Sequence, residues 1–322
     1  MAGHTDRSIF IDAPPNLVWQ EINDISHWPT LFAGEYESAD VLNSPPDRIR
    51  FRLTKPPIDG TRHTWISERY LDTAARTVVA RRVDTGPFRY MHIFQSVTPH
   101  DSGSVLRWVQ DFEVETNAPF TDTQMQERIE RGSALNQSQH RSAIEQLAGR
   151  PPRAFEQQGN ELPRAAHGAS LTGHVDVRVS AQAPLERVWA IANDRTAWAH
   201  TGHPVSAAFD EGPESVFAVH TPPNEADQRW SFTVHRVRND ESKTVFSRRY
   251  GSPDFLYSTQ WFGYRETGGE TELRCVSDFE LTPAADVHRA DMEQTMGSAM
   301  TGNMTRIAQL AETATQPVLE PR

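Results

Sequence analysis

The sequence predicts an α+β protein in which one domain occurs twice. Each copy is expected to be a curved antiparallel sheet wrapped around a long C-terminal helix. Three observations lead there. A length of 322 residues is enough for two domains of ordinary size. An internal repeat runs through the chain. Each repeat opens with a strand and a proline-led helix, continues through a run of strands, and closes on a long helix.

The repeat is read directly from the residues. Residues 13–28, APPNLVWQEINDISHW, align with 183–198, APLERVWAIANDRTAW, at an offset of 170. Further on the offset becomes 167, where TVVARR (77–82) meets TVFSRR (244–249) and LRWVQDFE (106–113) meets LRCVSDFE (273–280). The slip of three residues fits a loop deletion. These blocks divide the chain into a first domain at 1–149, a linker at 150–169 and a second domain at 170–315. The linker, RPPRAFEQQGNELPRAAHGA, is polar and carries prolines.

Within each copy the elements follow in order. In HVDVRVS (174–180), Val175, Val177 and Val179 alternate with polar residues, as a half-buried strand requires. Pro14 and Pro184 stand near the first turn of a helix, where a missing N–H costs nothing. Strands are expected over 48–54, 64–71, 77–83, 88–97 and 104–115, separated by Pro, Gly and Asp turns. Long helices close the copies over about 122–148 and 285–313, with Thr121 and Gln124 spaced as a capping box.

Composition excludes several classes of function. The net charge of −11 offers no draw to phosphate backbones, so nucleic acid is not an expected partner. No apolar run approaches a membrane span, and MAGHTDRSIF lacks a signal peptide's regions, so a cytoplasmic protein is expected. The single cysteine, Cys275, forms no internal disulfide and no CxxC pair. There is no Gly-rich phosphate loop, nucleophile elbow or HExxH, and no metal or other cofactor is expected.

Two features point into the interior. On the closing helix Asn136 and His140 fall on the apolar stripe of Met125, Ile129, Ile144 and Leu147, and Asn303 falls likewise in the second copy. A buried asparagine either bonds a strand or lines a cavity. On the strand TWISERY, Trp65, Ser67 and Arg69 share one face, opposite Ile66 and Glu68. The repeat places Phe232, Val234 and Arg236 there, and Arg82 pairs with Arg249. A buried arginine needs either an acidic partner, here Asp111 or Asp278, or a polar cavity. Aromatic walls are expected from Trp28, Tyr36, Trp65, Phe88, Tyr90 and Trp108, and in the second copy from Trp198, Phe255, Tyr257 and Trp261. Eight tryptophans suit flat walls around a planar ligand.

The APxxVWxxxND helix, the W-x-S-x-R strand, the LRWVQDFE strand and the asparagine-bearing last helix together resemble the two-domain polyketide aromatase/cyclases. These are helix-grip proteins of the START-like (SRPBCC) superfamily. The resemblance spans nearly the whole chain. It implies, in each copy, an interior cavity between the sheet and the long helix, and binding there of a poly-β-ketone carried on an acyl carrier protein, alongside other polyketide synthase components, followed by aldol cyclisation and dehydration of a first ring. It implies Arg69 as the group that polarises ketone oxygens, with Ser67, Tyr36 and Asn136 beside it. Glu35 is a further acid–base candidate. Trp28, Trp65, Arg82, Phe88 and Trp108 then line the site, and Arg236 and Asn303 match in the second copy, where Val234 and Cys275 depart. The alternative is a helix-grip carrier or sensor of a lipid or hydrophobic metabolite.

Overall fold

The computed structural model describes residues 3–32, 34–57, 60–84, 86–151, 171–194, 205–220 and 231–313. The chain divides into two compact units, Met1–Ala166 and His167–Arg322. Most of the expected linker, residues 152–169, and Trp198 lie outside the described residues.

The first unit is a seven-stranded antiparallel sheet in the order β1-β7-β6-β5-β4-β3-β2. Its strands are β1 (Gly3–Ile11), β2 (Ser38–Asn43), β3 (Arg48–Thr54), β4 (Thr64–Asp72), β5 (Thr77–Arg82), β6 (Phe88–His100) and β7 (Gly103–Val114). Helix α1 (Pro15–Asn23) is preceded by Pro14 at its N-cap, and a short 3-10 turn leads to α2 (Trp28–Leu31). The closing helix α3 (Asp122–Leu147) lies against β1 and β7. Its N-terminus carries the capping box, with Gln124 N–H donating to Thr121 Oγ1 at 3.3 Å and Thr121 N–H donating to Gln124 Oε1 at 3.0 Å. The second unit repeats the plan with β8 (Thr172–Ala181), β9 (Val205–Glu211), β10 (Glu214–His220), β11 (Ser231–Asn239), β12 (Thr244–Tyr250), β13 (Phe255–Thr267) and β14 (Glu270–Leu281), in the order β8-β14-β13-β12-β11-β10-β9. Its helices are α4 (Leu185–Asn193) and α5 (Arg289–Thr313). These are two tandem helix-grip domains. Strand β2 and the short helix α2 had no signal in the sequence.

Each copy reuses the same fastenings. Ser104 Oγ donates to the Ala13 carbonyl at 2.7 Å, and Thr271 Oγ1 donates to the Ala183 carbonyl at 2.7 Å. Glu145 on α3 accepts from Asp12 N–H at 2.9 Å, and Glu312 on α5 accepts from Gln182 N–H at 2.7 Å. Gly3 and Gly173 leave room for the rings of Phe112 and Phe279, both fully buried. A Cβ on Gly173 would stand 2.2 Å from the Phe279 ring, so Gly173→Ala is expected to destabilise the second unit by about 1–3 kcal/mol. Its melting transition measures this, and an unchanged midpoint would show that the ring yields freely.

Strand alternation sorts side chains onto two faces. Trp65, Ser67 and Arg69 do share the face that meets α1 and α3, beside Arg82 and Ala80 of β5. Glu68 takes the far face, where it pairs with Arg50 at 3.1 Å and Arg81 at 2.7 Å. Three expected wall residues are not on the helix side. A bulge between Phe88 and Tyr90 reverses the alternation, so Phe88 packs with Met125 of α3 while Tyr90 stacks near His92 on the far face. The equivalent bulge between Phe255 and Tyr257 sends Tyr257 and Trp261 to the far face, where Trp261 lies by Arg274.

Candidate functional site

The first unit gathers its site from four directions. Helix α1 ends on Asn23, whose Nδ2 bonds back to the Trp19 carbonyl at 2.9 Å, which aims its Oδ1 at the sheet. There Arg69 Nε and Nη2 donate to that oxygen at 3.3 and 2.9 Å. Arg69 Nη2 also donates to Gln95 Oε1 at 2.7 Å, and the guanidinium lies 5.3 Å from the centre of the Trp28 ring. Arg69 is 2% exposed. Among the described residues no carboxylate pairs with it and nothing accepts from Nη1. Burial pushes the guanidinium down to about 9, so it stays charged at neutral pH.

Among the described residues, Arg69 therefore lacks the acidic partner that the strand pattern left open. Asp111 is held by His4 at 2.6 Å and Asp278 by His174 at 2.6 Å, both on the far faces of their sheets. Two neutral amides hold the charge instead. Such partners fix its direction without neutralising it.

Around Arg69 the aromatic groups form a continuous wall. Trp28 meets Phe32 and Phe51 edge-on and lies 6.2 Å from Tyr36, which in turn meets Trp65 at 6.1 Å. Arg82 covers the Trp65 ring at 4.5 Å and Phe88 at 5.4 Å. Burial, partly opposed by Tyr36 and Asp84, lowers Arg82 to about 10. Burial raises the Tyr36 hydroxyl well above its ordinary value, assisted by Glu35 and opposed by Arg82. Tyr36 is thus a proton donor and not a phenolate near neutral pH. Glu35 is committed to an ion pair with Lys55.

Helix α3 supplies the opposite side. Gln137, and not Asn136, makes the helix-to-strand bonds, donating to the Arg7 and Leu106 carbonyls at 3.2 and 3.5 Å. Ser133 donates to Gln110 at 2.6 Å. Asn136 Oδ1 is buried with no hydrogen-bond partner. His140, 1% exposed, stands edge-on to Phe32 at 4.3 Å and to Trp108 at 5.6 Å. Neither ring nitrogen makes a close hydrogen bond to a side chain among the described residues; the contact within reach is the Asn136 backbone, one turn back on the same helix. Burial and the nearby Arg69 charge lower His140 to about 3. Trp108 Nε1 and Arg82 Nε are likewise buried and unbonded. Buried polar groups are nearly always bonded in folded proteins, so these unbonded atoms are the ones here with hydrogen-bonding capacity to spare.

Asn23, Gln95 and His140 were not singled out as site residues from the sequence. Asn23 carried a signal, since the ND pair closing the first helix recurs as Asn193–Asp194. His140 carried one in its place on the apolar stripe.

The second unit keeps the framework and loses the polarity. Arg249 covers Phe232 at 4.1 Å and Phe255 at 5.5 Å, and Arg236 donates to the Ala192 carbonyl at 3.3 Å. Asn303 is half-buried on α5. Yet Val234, Phe262, Cys275, Met300, Met304 and Ile307 stand where the first unit has Ser67, Gln95, Trp108, Ser133, Gln137 and His140. Burial drives the Cys275 thiol upward, and it points at Met300 sulfur, 3.6 Å away. It is a packing group and not a nucleophile.

Among the described residues no helix is long and apolar enough to cross a membrane. Residues 2–136 match the family model described as polyketide cyclase / dehydrase and lipid transport. A putative polyketide cyclase of Streptomyces cyaneus is 40% identical over 153 residues, 47% of this chain and all of that protein. One from Streptomyces halstedii is 48% identical over 110 residues, 34% of this chain and all of that protein. The crystal structure of the di-domain ARO/CYC BexL, from the BE-7585A biosynthetic pathway, aligns over 97% of this chain and 99% of its own. It does so at 17% identity and a TM-score of 0.41. On the match of whole relatives at 40% identity or more, the chain belongs to the polyketide cyclase family.

Proposed function

We propose that the first unit closes and aromatises the first ring of a poly-β-ketone presented by an acyl carrier protein of a type II polyketide synthase, the chain being ketoreduced at one position. The observation that carries this is Arg69, a buried cation held by two neutral amides with Nη1 unbonded among the described residues. A methylene between two carbonyls is acidic, and its enolate attacks another ketone of the same chain. The new C–C bond leaves an oxyanion, and a fixed, desolvated cation stabilises that charge by roughly 3 kcal/mol per donor. Trp28, Tyr36, Trp65, Phe88 and Trp108 hold the flexible chain in one fold, which supplies the entropic part and the regiochemistry. Arg82 and Ser67 lie along the same wall, and Asn136 faces it from the helix.

A second reading has a specific observation behind it, for the second unit alone. Its interior of methionines, Cys275 and Ile307 suits binding of an apolar segment without chemistry. On that reading Arg236, Arg249, Phe255 and Asn303 hold a ligand and convert nothing.

Reconstitution with a minimal polyketide synthase and a ketoreductase, followed by product identification, tests the proposal. The full chain is expected to replace the spontaneous mixture with one product bearing an aromatic first ring. An unchanged mixture would contradict it.

A further inference from the structure

The two units are natural controls for one another, because the same fold was built twice with different interiors. At the position of His140 the second unit carries Ile307, which is 9% exposed and packs in the apolar core. The fold therefore has no need of a histidine at this point of the helix. In the first unit the histidine buries two polar ring nitrogens that meet no side-chain partner and have only the backbone of Asn136, on their own helix, within reach, a cost that an isoleucine would remove. It stands opposite Arg69, close enough to feel its charge, with Phe32 and Trp108 fixing the ring plane from two directions.

We infer that His140 is a further catalytic residue, the group that moves protons when the newly closed ring loses water. This rests on the ring-closure reading above. A neutral imidazole has one nitrogen that accepts and one that donates. The accepting nitrogen takes the proton from the carbon next to the ketone, and the C–H electron pair becomes the new C=C bond. The C–O bond at the neighbouring carbon breaks, and its oxygen leaves as water with the proton from the donating nitrogen. The imidazole finishes as its other tautomer, and no charge is created on it. Such a path suits a histidine that burial and Arg69 keep from becoming a cation. Arg69 meanwhile holds the ketone oxygen, so the two groups divide the work between charge and protons.

The test uses the full chain with His140→Ile, which installs what the second unit carries, and with His140→Gln, which keeps a polar side chain but cannot relay a proton. Both are given the same carrier-bound chain as the wild type. Ring closure is expected to proceed, and water loss to slow by roughly a hundredfold, so that a closed product heavier by one water accumulates. The first unit's melting temperature is expected to hold or rise in His140→Ile. Aromatic product at the wild-type rate in either variant would overturn the inference. So would loss of ring closure in both with the fold intact, which would make His140 a positioning residue, and so would unfolding of both. If the wild type itself closes no ring, the ring-closure reading falls first and takes this inference with it.

Discussion

Arg69→Ala is expected to abolish correct ring formation while the first unit stays folded. The side chain has no ionic partner among the described residues, so its removal strands no opposite charge. Asn23 and Gln95 each lose a donor, at about 1–3 kcal/mol apiece, and relief of a desolvated cation offsets part of that. Turnover is a different matter. Loss of one donor to a developing oxyanion typically slows catalysis by roughly 10²–10³-fold. Arg236→Ala, assayed on the same carrier-bound chain, is expected to do much less. The second unit has exchanged the polar set around its arginine for Val234, Phe262, Met300, Met304 and Ile307. Equal loss from the two variants would mean that both interiors act in series. A larger loss from Arg236→Ala would reverse the assignment. Unfolding of Arg69→Ala, seen by circular dichroism, would make the arginine a structural group.

Glu68→Ala is expected to have the opposite profile, with a large loss of stability and no direct part in the chemistry. Glu68 is 1% exposed and is met by Arg81 at 2.7 Å, Arg50 at 3.1 Å and the Tyr70 hydroxyl at 2.9 Å. Truncating one member of a buried pair costs about 3–5 kcal/mol, because the partner keeps its desolvation cost. The pH dependence has a definite sign. Burial raises the Glu68 carboxyl, and Arg81, the Tyr70 hydroxyl and Arg50 more than reverse this, leaving it below its ordinary value of 4.5. Its stabilisation is therefore present above about that pH and is lost as pH falls through the folded value. Urea titrations of the first unit between pH 7 and 3 should show wild type losing stability faster than Glu68→Ala at the acidic end. A loss below about 1 kcal/mol at pH 7 would contradict the buried-pair account.

Adjacent residues with such different expected effects show what strand alternation makes legible. Arg69 and Glu68 fall on opposite faces by a period of two alone, and that much can be read from TWISERY. The capping box at Thr121 and Gln124 was equally local, since both partners lie within one helical turn. The repeat itself carried the fold, because two copies of one pattern exposed the framework common to both.

What the sequence concealed was non-local. Nothing in the order of residues says that Arg69 meets Asn23 and Gln95 instead of Asp111, because those pairings depend on which strands become neighbours. Tyr90, Tyr257 and Trp261 were misplaced for a sharper reason. One extra residue in a bulge flips every side chain beyond it, and the bulges at Phe88 and Phe255 have no Gly or Pro within them to announce it. His140 was visible on the helix stripe, but the lack of a side-chain partner for its nitrogens is a property of the packed interior.

The most direct test of the central claim is the molar ratio of aromatised product to protein, measured with an excess of carrier-bound chain and the full-length protein. If the first unit is a cyclising enzyme, product should continue to accumulate well beyond one equivalent, and Arg69→Ala should stop it. Accumulation that halts at or below one equivalent, with the ligand retained unchanged, would mean that the interior binds a polyketide or lipid and does not convert it.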